Sequence, residues 1–284
     1  MSRTLSLPTL TLAPRTSRLA SAMLLAAGRG ERMRPLTDTC PKPLLRVRGK
    51  PLLQWHLEAL LRGGFTLAVI NTAWLGPQFE QEFHGMFALQ PLLDKRRELL
   101  IQDLLHLRYS HEGQDFGAAL ETAGGICRAL PQLCPHLANG GSDVFWVLAG
   151  DVFAPDFEFT RRAIERFCAS GKLAHLWLVP NPEHKPDGDF GLDADTGLAL
   201  NLPADDSRPR YTYSTIGLYR HALFGLPWCD IPAGNPAGLK APLAPLLRAA
   251  MDCGQVSAEL YTGFWTDVGT PQRLASLNND LVGA

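Results

Sequence analysis

The stretch that decides the fold runs from Met23 to Leu45 and is MLLAAGRGERMRPLTDTCPKPLL. Its apolar run ends in Gly-x-Gly, which predicts a buried strand over residues 22–27 followed by a tight turn. Successive backbone N–H groups in such a turn form a concave anion site, and Gly28 and Gly30 permit the turn. Because cationic side chains follow at Arg32 and Lys42, phosphate is the first candidate ligand.

Two named nucleotide motifs are excluded within this stretch. A dinucleotide-binding fingerprint requires a third glycine where Met33 stands, and a Walker loop requires Gly-Lys-Ser/Thr, which the stretch lacks. Gly-x-Gly alone also fits a simple tight turn. The cations favour the anion site, since Arg binds two oxygens in a plane and Lys acts as a point charge that Pro41 and Pro43 hold in place. Four other side chains fit solvated surface charges better: Arg29, Arg34, Arg46 and Arg48.

Working outward, the first half of the chain alternates predicted strands and helices. A helix is predicted over 51–61 and a strand in FTLAVINTAW that ends near Asn71. Further helices are predicted over 78–89, 121–130 and 160–170, and further strands near 106–110, in DVFWVLAGD and in LAHLWLVP. Uncharged strands in this alternation predict an α/β fold with a Rossmann-like, mostly parallel sheet and helices on both faces. Ligands then bind beyond the carboxyl ends of the strands, where Gly28, Asn71 and Gly150-Asp151 are expected.

The second half carries shorter segments separated by turn residues. Antiparallel strands that form a β-rich flap on the sheet are predicted in GDFGLD, GLALN, YTYSTIGLYR and VSAELYTGFW, with helices over 239–251 and 271–277. LLDKRRELL and CPHLANGGSD are predicted to be surface insertions. Residues 1–21 are expected to be a tail and 22–284 a single domain. The tail fits a disordered segment, or a start assigned upstream of Met23, better than a transit peptide.

Composition excludes several classes of function. The 27 basic and 28 acidic residues give a net charge of -1, which offers no global field for nucleic acid or an anionic membrane. No apolar run approaches the roughly 18 residues of a membrane helix. The six cysteines form no C-x-x-C pair and no zinc pattern, which favours reduced thiols and a cytoplasmic location. No Ser-His-Asp arrangement stands out.

Three further features suggest a nucleotide site. Asp151 ends an apolar strand, where a carboxylate can hold Mg²⁺ against phosphate oxygens. Asp267 is a second candidate ligand, although spacing alone favours a cap for the helix that starts near Pro271. In LETAGGI, Gly124 and Gly125 stand near a helix start, where the backbone can approach a flat base closely.

Taken whole, LAAGRGERMRPLTDTCPKPLL resembles the signature of the sugar-1-phosphate nucleotidylyltransferases. That pattern is an apolar strand, Gly-x-Gly-x-Arg-Met/Leu, and then a Lys flanked by Pro. Within the family, INTAWLG, LETAGGI, GDFGL, LAPLLRAAM and WTDVGTPQRL are most similar to the bacterial N-acetylmuramate α-1-phosphate uridylyltransferases of peptidoglycan recycling. The resemblance spans about residues 23–280.

The resemblance implies that UTP, or another nucleoside triphosphate, reacts with a sugar 1-phosphate in the presence of Mg²⁺ to give a nucleotide sugar and pyrophosphate. It implies catalytic roles for Arg32, Lys42 and Asp151, and magnesium binding by Asp151 and Asp267. The implied nucleotide-binding residues are Ala26, Ala27, Gly28, Arg29, Gly30, Asn71, Thr122, Gly124 and Gly125. The implied sugar-binding residues are Asp189, Thr215 and Gly217.

Three departures from the family pattern leave the substrate pair open. Ala149 replaces an Asn, Ala123 replaces a third Gly after a longer loop, and Thr215 replaces a Gly. Mannose 1-phosphate with GTP, or glucose 1-phosphate with dTTP or UTP, are alternative pairs, and a catalytically silent sensor is an alternative of another class. A carboxylate on the sugar would need a nearby cation or donor; the candidates are His184, Lys185 and Arg210. Both a monomer and a dimer fit.

Overall fold

The computed structural model describes residues 20–89 and 104–279. The tail up to residue 19 and the predicted insertion LLDKRRELL lie outside the described residues. The strands are β1 (Ser21–Leu25), β2 (Arg46–Val47), β3 (Lys50–Pro51), β4 (Leu67–Thr72), β5 (Met86–Phe87), β6 (Leu105–His111), β7 (Val144–Ala149), β8 (Val152–Phe153), β9 (Ala174–Val179), β10 (Phe190–Asp193), β11 (Leu198–Leu200), β12 (Arg210–Arg220), β13 (Val256–Leu260) and β14 (Thr266–Asp267). The helices are α1 (Leu52–Arg62), α2 (Pro77–Phe83), α3 (Glu112–Phe116), α4 (Glu121–Leu133), α5 (Arg161–Ser170), α6 (Leu243–Asp252) and α7 (Pro271–Asn279).

Ten of these strands form one sheet in the order β10-β11-β13-β9-β12-β7-β1-β4-β6-β5. Strands β7, β1, β4 and β6 are parallel neighbours, as the alternation of strands and helices predicts. Strand β12 lies antiparallel between β7 and β9, and β13 is parallel to β9. The antiparallel strands of the second half therefore form the β-rich part of the fold as an extension of the main sheet.

Helices cover both faces of the sheet because alternate residues of each central strand face opposite ways. Leu24 and Trp146 belong to a core cluster that includes Leu53, Leu57 and Leu60 of α1. Met23 and Phe145 belong to a second cluster, which includes residues of α4 and α6. The mostly parallel sheet with helices on both faces is thus confirmed.

Three predicted boundaries are corrected. The helix predicted over 78–89 ends at Phe83, because His84 and Gly85 take left-handed backbone conformations and β5 then pairs with β6. The helix predicted from 239 begins at Leu243, after Pro242. Ser21, assigned to the tail, already belongs to β1, and its hydroxyl donates to the carbonyl of Leu133 at 2.7 Å.

The parallel strands bring their carboxyl ends to one edge of the sheet. The segments that follow β1, β4, β6 and β7 meet there, and they contain most of the predicted site residues. Within the described residues, no helix combines the length and the apolar character that crossing a membrane requires.

Candidate active site

A cleft of about 470 Å³ opens at this edge. One wall, called here the loop wall, comes from the segments that follow the parallel strands. Its residues are Leu25, Ala26, Ala27, Gly28, Gly30, Glu31, Arg32, Met33, Lys42, Pro43, Asn71, Glu112, Ala119, Glu121, Thr122, Ala149 and Asp151. The opposite wall contributes Thr215, in β12, and Gly269, just after β14.

The glycine loop after β1 supplies backbone donors to the cleft. Gly30 has a φ of 69°, a left-handed conformation that favours glycine. Packing does not explain the glycine at Gly28, because a Cβ there would meet no protein atom within 4 Å. The backbone N–H groups of Gly28, Arg29 and Gly30 donate to no described residue. The loop therefore presents backbone donors that an anion could use, and anion binding by the loop stays a prediction.

Asn71 and Glu112 hold this loop in place from below. The side-chain oxygen of Asn71 accepts from the N–H of Ala26 at 2.7 Å, and its amide nitrogen donates to Glu112 Oε1 at 2.7 Å. Glu112 Oε2 accepts from the N–H of Leu120 at 2.7 Å, and Glu112 is fully buried. Burial raises the pKa of the Glu112 carboxyl. Asn71 therefore orients the loop with both of its polar atoms.

Sequence analysis missed Glu112. The available signal was its position directly after β6, at the same edge as Asn71 and Asp151. The strand was predicted to end at Ser110, and an acidic residue that follows a predicted strand closely belongs to the same class of candidate as Asp151.

Lys42 and Asp151 meet in the cleft although 109 residues separate them. Lys42 Nζ lies 2.5 Å from Asp151 Oδ2, and the lysine side chain is only 10% exposed. A short 3₁₀ helix over Lys42–Leu44, entered through Pro41, aims the lysine inward. Arg32 lines the same wall and has no ion-pair partner among the described residues. The two predicted catalytic cations thus lie in the cleft with Asp151.

Asp267 lies beside Asp151 in the backbone. Strand β14 pairs with β8 so that Asp267 stands opposite Val152, and the N–H of Val268 donates to the carbonyl of Asp151 at 2.8 Å. The alternative role as a helix cap is not observed, because Thr270 Oγ1 accepts from the N–H of Arg273 at the start of α7. The cap that spacing favours is therefore wrong, and the magnesium role that the resemblance implies for Asp267 stays a prediction.

The carboxylate of Asp267 is held by two cationic or polar side chains. Arg273 Nη1 donates to Asp267 Oδ1 at 2.6 Å, and His184 Nε2 lies 2.8 Å from the same oxygen. The two ring nitrogens of His184 lie 2.6 and 3.1 Å from Arg273 Nη1. Of the three donors considered for a sugar carboxylate, His184 is the one in contact with this cluster.

The other two donors point elsewhere. Lys185 Nζ is 2.6 Å from Asp189 Oδ2, and Arg210 Nη2 bonds the backbone carbonyls of Leu202 and Pro203. Asp189 also accepts from the N–H of Tyr213 at 2.9 Å. None of these side chains lines the cleft, so the structure does not bring the predicted sugar residue Asp189 to it.

His56 supports the segment that carries Asp151. It is 2% exposed, and its Nε2 lies 2.8 Å from the carbonyl of Val152. Burial lowers the pKa of His56 to about 4, so the ring is neutral at pH 7 and donates to that carbonyl. Sequence analysis gave no signal for His56, which lies on α1, 96 residues before Val152.

Three predicted glycines turn out to serve packing. A Cβ on Gly124 would overlap the carbonyl of Leu239, and a Cβ on Gly125 would lie 2.5 Å from Glu112 Oε1. Gly217 is buried within β12, where a Cβ would meet three protein groups at 3.0 Å. None of the three is among the residues that line the cleft, and the expected contact of their backbone with base or sugar stays a prediction. Thr122 does line it, and its role at the base stays a prediction.

Two residues with special backbone conformations line the cleft. Thr215 has a φ of 62° at an irregularity in β12, and Glu121 has a φ of 59° at the start of α4. Left-handed backbone is unfavourable for side chains other than glycine, and most of all for a β-branched one. Arg29, in contrast, lies outside the cleft: its side chain pairs with Glu31 and stacks on Trp74.

The donor set at this edge fits a divalent cation. The lining residues include four acids (Glu31, Glu112, Glu121 and Asp151) against two bases (Arg32 and Lys42), so a polyphosphate here needs further positive charge. Asp267 lies in β14 and Asp151 directly before the paired strand β8, and Mg²⁺ is commonly held by one or two carboxylates plus substrate phosphates. Among the described residues, no cluster of three or more His, Cys, Asp or Glu side chains could hold a metal ion, so these two carboxylates are the candidate protein ligands.

Comparisons with known proteins show which proteins this chain is similar to. Residues 21–195 match the family model described as nucleotidyl transferase. The chain is 44% identical to an N-acetylmuramate alpha-1-phosphate uridylyltransferase from Neisseria meningitidis serogroup B, over 89% of this chain and 94% of that protein. It is 33% identical to a UTP--glucose-1-phosphate uridylyltransferase from Synechocystis, over 87% of this chain, and spans 60% of that longer relative.

Among solved structures, a putative glucose-1-phosphate thymidylyltransferase from Bacillus anthracis, crystallised with a sucrose, superposes with a TM-score of 0.65. The match covers 93% of this chain and 96% of that one at 19% identity. At that identity the match supports the fold alone.

Proposed function

Because the chain belongs to the nucleotidyl transferase family, we propose that it joins UTP and N-acetylmuramate α-1-phosphate to give the UDP-sugar and pyrophosphate. The observation that carries the choice of substrates is the 44% identity over 89% of the chain to a protein with that activity in its name. The reaction would serve peptidoglycan recycling in the cytoplasm, where UTP and reduced thiols coexist.

The proposed reaction is a displacement at phosphorus. A phosphate oxygen of the sugar 1-phosphate bonds to the α-phosphorus of UTP, the bond from that phosphorus to the bridging oxygen breaks, and pyrophosphate leaves with the electron pair. The attacking oxygen is already ionised, so the protein needs no nucleophile of its own. Repulsion between two anions and their misorientation form most of the barrier.

Groups of the loop wall would reduce both the repulsion between the two anions and their misorientation. The free N–H groups of Gly28 to Gly30 would receive phosphate oxygens, and Arg32 and Lys42 would stabilise the charge that builds up in the transition state. Because Asn71 and Glu112 fix the loop before substrate arrives, the donors need little reorganisation at the moment of reaction. This preorganisation is what makes such donors effective.

Asp151 and Asp267 would hold Mg²⁺, which would supply positive charge against the phosphate oxygens of both substrates. In this structure the two carboxylates are paired with Lys42 and Arg273.

The test is release of pyrophosphate by the purified chain with Mg²⁺. UTP, dTTP, GTP, CTP and ATP are each combined with N-acetylmuramate α-1-phosphate and with the 1-phosphates of glucose, N-acetylglucosamine and mannose. Turnover confined to UTP with the muramate sugar is expected. Turnover with another pair would contradict the proposed substrates while keeping the reaction, whereas nucleotide binding without any turnover would favour a sensor.

A further inference from the structure

We propose that Arg273 is a positioning residue of the metal site: it is paired with Asp267 in this structure, gives up that carboxylate when Mg²⁺ binds, and then binds an anionic group of the sugar 1-phosphate. This inference rests on the proposed function, since it takes Asp151 and Asp267 as the magnesium ligands. Its consequence is that metal and sugar 1-phosphate bind cooperatively.

The first observation is that each of the two candidate magnesium ligands forms an ion pair with a cationic side chain. Lys42 Nζ holds Asp151 Oδ2, and Arg273 Nη1 holds Asp267 Oδ1 at 2.6 Å. The guanidinium and the carboxylate of the second pair are 21% and 23% exposed, so water screens them only partly. A divalent cation must therefore displace a bonded guanidinium before it can use the Oδ1 of Asp267.

The second observation is where the rest of the guanidinium lies. A Cβ on Gly269 would overlap Arg273 Nη2 and lie 2.8 Å from Asp267 Oδ2. The guanidinium thus packs directly against the backbone of Gly269, which lines the cleft. Glycine at this position leaves the space that Arg273 occupies, and any side chain there would push the arginine away.

The third observation is that Arg273 has unused donors. All of its recorded side-chain hydrogen bonds are made by Nη1, to Asp267 and His184. Nη2 and Nε bond no described residue, although Nη2 lies at the Gly269 wall. An arginine released from Asp267 can use its planar fork for two oxygens of a phosphate or carboxylate.

Linkage gives the expected coupling. An anion that draws Arg273 away removes a competitor for Asp267 and so raises metal affinity, and the metal must raise anion affinity by the same factor. Of the four partners in the two ion pairs, Arg273 is the one that the sequence did not single out. It lies on α7, six residues after Asp267.

The experiment titrates Mn²⁺, as a probe for the magnesium site, into the full chain without nucleotide, by electron paramagnetic resonance of the free ion. The proteins are wild type, Arg273→Gln, Arg273→Lys, Asp267→Asn and Arg166→Gln. Arg166→Gln is the matched control because Arg166 pairs with Glu259 outside the cleft, so the net charge change is the same. Circular dichroism confirms that each variant is folded.

Arg273→Gln is expected to bind Mn²⁺ about fivefold more tightly than wild type, which corresponds to the loss of one partly screened ion pair. Arg273→Lys and Arg166→Gln should remain near wild type. Adding N-acetylmuramate α-1-phosphate or glucose 1-phosphate should raise the Mn²⁺ affinity of wild type but leave that of Arg273→Gln nearly unchanged. If both sugar phosphates raise the Mn²⁺ affinity, the group that Arg273 binds is the phosphate. If only the muramate sugar raises it, the group that Arg273 binds is the carboxylate.

The outcomes separate this inference from the proposed function. If Asp267→Asn weakens Mn²⁺ binding but Arg273→Gln binds as wild type or more weakly, the role of Arg273 is overturned and the metal site stands. If Asp267→Asn leaves Mn²⁺ binding unchanged, the metal assignment fails and the inference fails with it.

Discussion

The two walls of the cleft differ in how their polar groups are used. On the loop wall, the backbone N–H groups of residues 28–30 and the side chain of Arg32 have no partner among the described residues, while Asn71 and Glu112 hold the loop in place. On the opposite wall, Asp267, Arg273 and His184 bond one another behind Gly269. The loop wall thus offers donors without partners, although its Lys42 is paired with Asp151, whereas Arg273 behind the opposite wall is paired with Asp267.

The largest expected effect comes from removing a cationic side chain of the loop wall. Lys42→Ala and Arg32→Ala should each lower turnover by about 100-fold or more, the scale for loss of one preorganised charge-stabilising donor. Steady-state kinetics measure the effect, with Lys172→Ala as a control, because Lys172 Nζ bonds the carbonyl of Gly254 away from the cleft. Near-normal rates in both variants would contradict the catalytic roles of Lys42 and Arg32.

The next effect is on stability and concerns His56 behind Asp151. Its pKa is lowered to about 4 in the folded protein against about 6.5 in an unfolded chain, so the unfolded chain binds more protons between these values. The free energy of unfolding should therefore fall as pH decreases from 6.5 towards 4, by about 2 kcal/mol at pH 5 from His56 alone.

Chemical denaturation at several pH values measures this slope. His56→Gln keeps a donor for the carbonyl of Val152 but has no titrating group, so it should flatten the dependence. His175 on β9 also has its pKa lowered to about 4 by burial and will leave a residual slope. An unchanged slope in His56→Gln would show that His56 is not buried in its neutral form.

Two glycine substitutions separate a ligand role from a packing role. Gly125→Ala should destabilise the protein by at least about 1 kcal/mol, since the new methyl group meets the buried Glu112. Gly28→Ala should leave the melting temperature unchanged but weaken nucleotide binding, because its Cβ meets only the space predicted for phosphate. Thermal melts and nucleotide titrations check both. Equal nucleotide affinity in Gly28→Ala and wild type would contradict the close approach of phosphate.

The smallest expected effect concerns the opposite wall. Thr215→Gly should raise stability by about 1 kcal/mol, or roughly 2–4 °C, because it relieves a left-handed β-branched residue. Thr215→Ala, which keeps a Cβ, serves as the control and should not gain this amount. A lower melting temperature in Thr215→Gly would show that the bond from Thr215 Oγ1 to the carbonyl of Ser214 outweighs the strain.

The parallel strands were predictable because their patterns are local: uncharged apolar runs ended by turn residues, with helical spacing between them. The same holds for the loop wall, whose glycines and cations follow one strand within a single stretch. Errors arose where a tertiary contact decided the outcome. The helix after Pro77 stops early because Met86 and Phe87 pair with β6, and the antiparallel strands join the main sheet because β12 inserts between β7 and β9.

By itself the sequence determined the fold class, the family and the position of the glycine loop, since each depends on residues close together in the chain. The tertiary structure decided which acids and bases meet. Lys42 with Asp151, His56 with Val152 and His184 with Asp267 are pairs that lie far apart in the chain. It also decided why Gly125 and Gly217 are glycines, because the atoms that fill the space of a Cβ come from other elements or from side chains that only folding brings near. Such contacts depend on how elements pack, and no local pattern encodes that packing.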